Sequence, residues 1–339
     1  MSDPLATCDS PDVAGKRKNR GCEDTADHPP APVRAKATTF VAAASTSIGS
    51  RQTQEDRFAL IQDGWADVDA PGVQSWPACR FFGVFDGHSG QGTAELVSTL
   101  LWAELKAKLI TLLSAAPQTT PSSEELEGAM LSAFAAVDAR AVETTGGSGS
   151  TATVALTLGD ALVIANLGDS RTVLCRSERC FFWTEDHKPS NPLERRRIEA
   201  AGGFVNTPHA AGEWNVPRLN GILSVARAFG DAALKVPRSK EYETAPLSAV
   251  PDLTHRTLGK FDEFLLLASD GLWDIMDSHQ AVEIARGVLK KRRAAPGEPQ
   301  LSIEDRAQKA ADRLVAAAVH SGHCMDNVTV LLAMLADEC

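Results

Sequence analysis

The run Phe81-Phe82-Gly83-Val84-Phe85-Asp86-Gly87-His88-Ser89-Gly90 sets an acid, a glycine, an imidazole and a second glycine at the end of a short apolar stretch. The stretch from Phe81 to Phe85 reads as a buried strand, because it is compact, aromatic and ends abruptly. Glycine lets the backbone turn sharply and lets a ligand approach the main chain. An aspartate at the end of a rigid strand, with a histidine two residues on, is suited to holding a cation beside a proton donor. Asp-Gly is also an ordinary turn, so this stretch does not decide the matter alone.

Four other places repeat the pattern of an acid at or beside a strand end: Glu55-Asp56, Gly168-Asp169-Ser170-Arg171, Ser269-Asp270-Gly271-Leu272-Trp273-Asp274 and Asp326-Asn327. Each alone has a structural explanation as a turn former. If all five ends face the same way, the carboxylates repel one another unless cations hold them. No histidine or cysteine cluster accompanies them at ligand spacing, which argues against zinc. Oxygen donors suit magnesium or manganese. Two such ions about 3.5–4 Å apart would orient a water and clamp a phosphoryl oxygen. Arg51, four residues before Glu55, is placed to grip a phosphate through two parallel hydrogen bonds.

The elements that must position these groups follow from periodicity. Strands are expected at Thr39–Ile48, Asp56–Ile61, Ser150–Leu158, Ala161–Asn166, Arg171–Cys175, Cys180–Thr184, Glu263–Ser269 and Asn327–Leu335, with Gly159-Asp160 turning one hairpin. Thr93–Ala115 carries Leu96, Leu100, Leu105, Leu109 and Leu112 at near-helical spacing. A second helix starts at the capping box Ser122-x-x-Glu125 and runs to about Val142. Further helices are expected at Pro192–Ala201, Asp277–Lys290 and Ser302–His320. From Phe204 to Pro251 the period is weak, which predicts an irregular subdomain. The order of strands and helix pairs predicts an α+β fold: a four-layer α/β/β/α sandwich of two antiparallel sheets flanked by helix pairs.

The 339 residues carry 34 Lys+Arg against 44 Asp+Glu, a net charge of −10, which argues against a general nucleic-acid binder. Seven scattered cysteines without a Cys-x-x-Cys pair fit a reducing, intracellular compartment, cytoplasm or nucleus. No run reads as a signal peptide, a membrane span or a lipidation site, so no membrane partner is expected. Residues 1–38 are polar, proline-rich and without apolar period, and are expected to form a disordered tail ahead of a catalytic domain over 39–337. Its basic run Lys16-Arg17-Lys18-Asn19-Arg20 reads as solvated charge, and Lys290-Lys291-Arg292-Arg293 as cations favoured at a helix C-terminus.

Seven motifs in order resemble the protein phosphatase 2C family of metal-dependent serine/threonine phosphatases. They are Arg51-x-x-x-Glu55-Asp56, Val84-Phe85-Asp86-Gly87-His88, Gly149-Ser150-Thr151-Ala152, Asn166-Leu167-Gly168-Asp169-Ser170-Arg171, Ala228-Phe229-Gly230-Asp231, Ala268-Ser269-Asp270-Gly271-Leu272-Trp273-Asp274 and Asp326-Asn327-Val328-Thr329-Val330. The resemblance implies hydrolysis of phosphoserine and phosphothreonine in phosphoprotein substrates, by attack of a water bridging two Mn²⁺ or Mg²⁺ ions, in a monomer. It implies that Asp86 bridges both ions and that the Gly87 carbonyl reaches one of them. Glu55 would bind that ion directly or through water, with Asp56 behind it. Asp270 and Asp326 would complete the other, and Asp169 with Asp270 and Asp274 a looser third site. Arg51 would bind the phosphate, His88 would protonate the leaving oxygen, and Phe204 to about Ala249 (204–249) would correspond to the family's variable flap bordering the cleft. Ser89 stands where the family usually has glycine, and Ala226-Arg227 where it has Ser-Arg. The loop Asp63–Cys79 is longer than the resemblance leads one to expect, and is expected to shape substrate access. The alternative is a catalytically inactive phosphatase-like binding domain, which would ordinarily have lost one or more of these acids.

Overall fold

The computed structural model describes residues 39–116, 119–207, 216–237, 239–240, 242–291 and 300–336. The expected tail with its basic run, Trp214 and Arg292-Arg293 lie outside the described residues. In chain order the elements are β1 (Thr39–Ser47), β2 (Arg57–Ile61), β3 (Cys79–Phe85), β4 (Gly87–His88), α1 (Gly92–Ala115), α2 (Ser123–Thr144), β5 (Gly149–Ser150), β6 (Ala152–Leu158), β7 (Ala161–Leu167), β8 (Arg171–Arg176) and β9 (Arg179–Trp183). There follow α3 (Pro192–Ala200), β10 (Val205–Asn206), β11 (Arg218–Leu219), β12 (Phe229–Gly230), β13 (Asp252–Thr257), β14 (Asp262–Ala268), α4 (Asp270–Trp273), α5 (Ser278–Leu289), α6 (Ile303–Val319) and β15 (Val328–Ala336).

Two five-stranded antiparallel sheets form, ordered β1-β15-β14-β8-β9 and β13-β7-β6-β3-β2. Alternation along each strand sorts side chains between layers. On β3, Phe81 and Phe85 join the core shared with α1 and α2, whereas Phe82 and Val84 point between the sheets. On β14, Phe264, Leu266 and Ala268 meet α5 and α6, and Leu265 and Leu267 fill the space between the sheets. This is the expected α/β/β/α sandwich. Strands buried on both faces read as continuous apolar runs, which is why they were visible in the sequence.

Two local expectations are corrected. The fully buried stripe of α1 is Val97, Leu101, Leu105, Leu109 and Leu113; Leu96, Leu100 and Leu112 are only partly buried at the edge of the same core. The helix touches both the sheet and α2, so two neighbouring rows of leucines are apolar and periodicity cannot rank them. The loop from Asp63 to Cys79 does not border the acids. Ile61 pairs with Phe81 and Arg57 with Phe85, so this loop closes the opposite end of β2 and β3, where Trp65 and Trp76 stack edge-on at 5.2 Å. The predicted capping box of α2 is present, with the Glu125 N–H donating to Ser122 Oγ at 3.2 Å and the Ser122 N–H to Glu125 Oε2 at 2.8 Å. No helix among the described residues is long and apolar enough to cross a membrane.

Candidate active site

Strand register brings the acids to one end of the sandwich. Arg57, which follows Glu55-Asp56, pairs with Phe85, which precedes Asp86. Ala268, which precedes Ser269-Asp270, pairs with Val330 on one side and with Arg171 on the other. Val328, next to Asp326-Asn327, pairs with Ser47 at the start of the segment carrying Arg51. A cavity of about 130 Å³ at this end is lined by Arg51, Glu55, Asp86, Gly87, His88, Asp169, Asp270 and Asp326. A larger cavity of about 460 Å³ lies among Phe204, Ile222, Leu234 and Pro246. It contains none of the acids.

Main-chain contacts fix the acids before any ligand arrives. The Glu55 N–H donates to Asn327 Oδ1 at 2.8 Å, and Asn327 Nδ2 donates to the Ile48 and Thr53 carbonyls at 2.9 Å each. The Gly90 N–H donates to Glu55 Oε2 at 3.0 Å. Thr151 holds both sides of the Asp86 backbone, its N–H donating to the Asp86 carbonyl at 2.9 Å and its Oγ1 accepting from the Asp86 N–H at 3.2 Å. Gly87 is required here: a Cβ would meet the Glu55 carbonyl at 2.5 Å. Ser89 takes a left-handed φ of 57°, which explains why the related position is usually glycine and adds modest strain here.

The electrostatics are those of acids in want of cations. Burial first, then the neighbouring Asp56, Asp270, Asp169 and Asp326, push the Asp86 carboxyl well above the usual range. Burial, then Asp169, Asp274 and Asp326, does the same to Asp270. Burial lifts Asp56 to about 6 although Ser269 Oγ donates to its Oδ2 at 2.8 Å. The other Asp56 oxygen is buried with no donor among the described residues. Burial also raises Asp169 to about 6 against the opposing Lys188, and raises Asp326 despite Arg51.

Among the described residues no three His, Cys, Asp or Glu side chains stand already gathered to hold one ion. Two side-chain cations engage the rim acids instead: Arg51 Nη2 stands 2.5 Å from Asp326 Oδ2, and Lys188 Nζ stands 3.2 Å from Asp274 Oδ1 and 3.6 Å from Asp169 Oδ2. The residues nevertheless fit a pair of hard divalent ions. The donors are all oxygen, no cationic side chain engages Asp86 or Asp56, and one buried carboxylate oxygen is orphaned.

The expected site residues therefore fall in three places. Arg51, Glu55, Asp86, Gly87, His88, Asp169, Asp270 and Asp326 share the cavity. Asp56 lies beneath it, and Asp274 stands at the rim with its side chain 63% exposed. Three functional neighbours went unassigned in the sequence: Asn327, which ties Glu55 down; Lys188; and Asp231, whose Oδ2 lies 2.7 Å from His88 Nε2. Asn327 and Asp231 sit inside quoted motifs, but their contacts span 272 and 143 residues and no local pattern shows them.

Comparison with known proteins agrees with this geometry. The family model described as Protein phosphatase 2C matches residues 43–328. The chain is 37% identical over 249 residues to "Probable protein phosphatase 2C 57" of Oryza sativa subsp. japonica, covering 72% of this chain and 62% of that protein. It is 37% identical to "Probable protein phosphatase 2C 71" of Arabidopsis thaliana, covering 72% of this chain and 48% of that one. It thus spans less than two thirds of these relatives' length. The structure of a serine-threonine phosphatase 2C from Toxoplasma gondii superposes with a TM-score of 0.69 at 26% identity, covering 88% of this chain and 95% of that one. A C. elegans sex determining protein shares the fold, with a TM-score of 0.68 at 24% identity. A family match over most of the sandwich, with the acids meeting at one end of it, establishes that the chain belongs to the protein phosphatase 2C family.

Proposed function

We propose that the domain over 39–337 is an active, metal-dependent protein phosphatase that hydrolyses phosphoserine and phosphothreonine. The observation that carries this is the placement of Asp86 and Asp270, desolvated and mutually repelling, with no cationic side chain engaging Asp86, beside Arg51 and His88 in one cavity. An inactive binding domain has no use for such acids, because an unpaired buried carboxylate costs stability and would drift to neutral residues.

Asp86, the Gly87 carbonyl, Glu55, Asp270 and Asp326 would hold two Mn²⁺ or Mg²⁺ ions, with Asp56 supporting them from below and Asp169 and Asp274 offering a weaker place at the rim. Such ions supply Lewis acidity toward the phosphoryl group and lower the pKa of a coordinated water. The chain supplies the rest. Arg51, whose side chain is 55% exposed, can turn its guanidinium to a phosphate and present two parallel donors. Asn327 and Thr151 keep Glu55 and Asp86 from moving as charge changes. His88 protonates the departing serine or threonine oxygen, a role worth about 10²–10⁴-fold.

The test is hydrolysis of a phosphothreonine peptide against a phosphodiester, with and without manganese. The expected result is manganese-dependent release of phosphate from the peptide alone. Full activity after chelation would refute metal dependence, and preference for the diester would refute the phosphatase reading.

A further inference from the structure

Three strands of two residues each form a small sheet ordered β12-β5-β4. In it His88 pairs with Gly149, and Gly149 pairs with Gly230. Asp231 follows directly and is itself held in the left-handed region, at φ 52° and ψ 50°, by its N–H donating to the Ser148 carbonyl at 3.0 Å. His88 and Asp231 thus reach over Gly149, where a Cβ would fall on both Asp231 Oδ2 and His88 Nε2. Their contact is 2.7 Å long, with side chains 23% and 9% exposed. A left-handed non-glycine residue is uncommon. No hydrogen bond engages His88 Nδ1 among the described residues, and His88 lines the acid cavity.

We propose that Asp231 is the positioning residue for His88, taking the Nε2–H and so assigning proton delivery to Nδ1. The inference rests on the phosphatase reading above. A carboxylate on one ring nitrogen fixes the tautomer and the ring plane, leaving the other nitrogen to give the proton. As the P–O bond breaks, its electron pair goes to the serine or threonine oxygen. The proton on Nδ1 moves to that oxygen, the alcohol leaves neutral, and the imidazole keeps its Nε2–H on Asp231. The attacking water forms the new P–O bond, and the proton it sheds restores Nδ1.

The experiment compares wild type, Asp231→Asn, His88→Gln and the double variant in the magnesium-loaded protein, on a phosphothreonine peptide and on p-nitrophenyl phosphate. Nitrophenolate leaves without a proton, so it isolates the acid step. Asparagine tolerates the left-handed backbone and keeps the shape while removing the charge. Asp231→Asn is expected to lower kcat on the peptide about 10–100-fold with little change in KM, and to change p-nitrophenyl phosphate turnover by about threefold or less. The double variant should be no worse than His88→Gln, since the two residues act as one unit. Equal losses on both substrates, or losses that multiply in the double variant, would overturn the proposal. Independently of activity, ¹⁵N spectra of the wild-type ring should show a protonated Nε2; a bare Nε2 would overturn it even if every variant misfolds. A wild type inactive on all monoesters, yet with a protonated Nε2, would instead sink the phosphatase reading.

Discussion

Two groups of charged residues in this fold have opposite character. Under the flap segment, Glu194 is gripped by Arg227 at 2.6 Å and Arg197 at 3.0 Å. Arg227 also reaches Asp252 at 2.6 Å. His187 Nε2 stands 3.1 Å from Asp252 Oδ2, without aligned hydrogen-bond geometry. Arg197 donates onward to the Ala226 and Pro246 carbonyls at 2.6 and 2.9 Å. Burial works to raise Glu194, yet Arg227 and Arg197 hold it below the usual range. His187 and Arg227 hold Asp252 down at about 2. At the sandwich end, Asp86, Asp270, Asp56 and Asp169 are all raised. The difference is the resident cation. Where the chain brings its own arginines, acids serve as cross-links between α3, the flap and β13. Around Asp86 and Asp56 it brings none, and those acids are left without an opposite charge.

The comparison is broken most severely by removing metal or its central ligand. Chelation should abolish phosphopeptide turnover, with recovery on adding Mn²⁺ or Mg²⁺. Asp86→Asn should lower kcat by about 10²–10⁴-fold, because a clamp on developing charge is worth several kcal/mol. The same change should leave the metal-free protein at least as heat-stable, since it removes a repelled carboxylate. A large fall in metal-free melting temperature would erase the contrast. Glu194→Gln should do the reverse: about 3 kcal/mol lost in denaturant unfolding, the cost of stranding two partly buried guanidiniums, with metal affinity retained.

Smaller effects sharpen it. Asp169→Ala should reduce kcat roughly 10–100-fold, as for groups supporting a metal site, while calorimetry still shows the tightest Mn²⁺ binding. Loss of that tightest binding would move Asp169 into the central pair. Lys188→Met should tighten the weakest Mn²⁺ binding by about tenfold or less, the scale of a partly exposed ion pair.

The pH dependence of stability should differ in sign between the clusters. Asp252 sits at about 2 against an ordinary 3.8, so its contribution is present above 3.8 and is lost as pH falls toward 2. Asp56 and Asp169 sit at about 6 against the same 3.8, so metal-free stability falls as pH rises from 3.8 through 6. Bound cations lift that penalty. Differential scanning calorimetry should therefore show a larger Mn²⁺-induced rise in melting temperature at pH 7 than at pH 5. An equal rise at both would contradict the assigned shifts.

What was legible in the sequence was whatever a single strand or helix carries by itself. Asp86 was visible because an acid ends an aromatic run, and α2 because its cap is local. The edge strand β13, Asp252–Thr257, was missed because Asp-Leu-Thr-His-Arg-Thr has little apolar content, pairing only with β7 at the sheet margin. The mini-sheet was missed because two-residue strands have no period to read. Asp231 and Lys188 were therefore assigned no contact, although both reach site residues through the fold. In α1 the helix was read correctly and its buried face only in part, since two apolar rows compete for one core.

One pairing has a consequence for how the protein is made. β1 lies against β15 along its whole length, from Thr39 with Ala336 to Ser47 with Val328, and the Glu55 backbone is tied to Asn327, 272 residues later. At a synthesis rate of about 5–20 residues per second, Glu55 waits on the order of 15–55 s for that partner. During that wait β1 lacks the strand it will pair with, an open template for other chains. Contacts of such sequence separation fold slowly. Asp326 consequently joins the other acids only after β15 has left the ribosome, so a nascent chain stalled before Asp326 lacks one wall of the cavity.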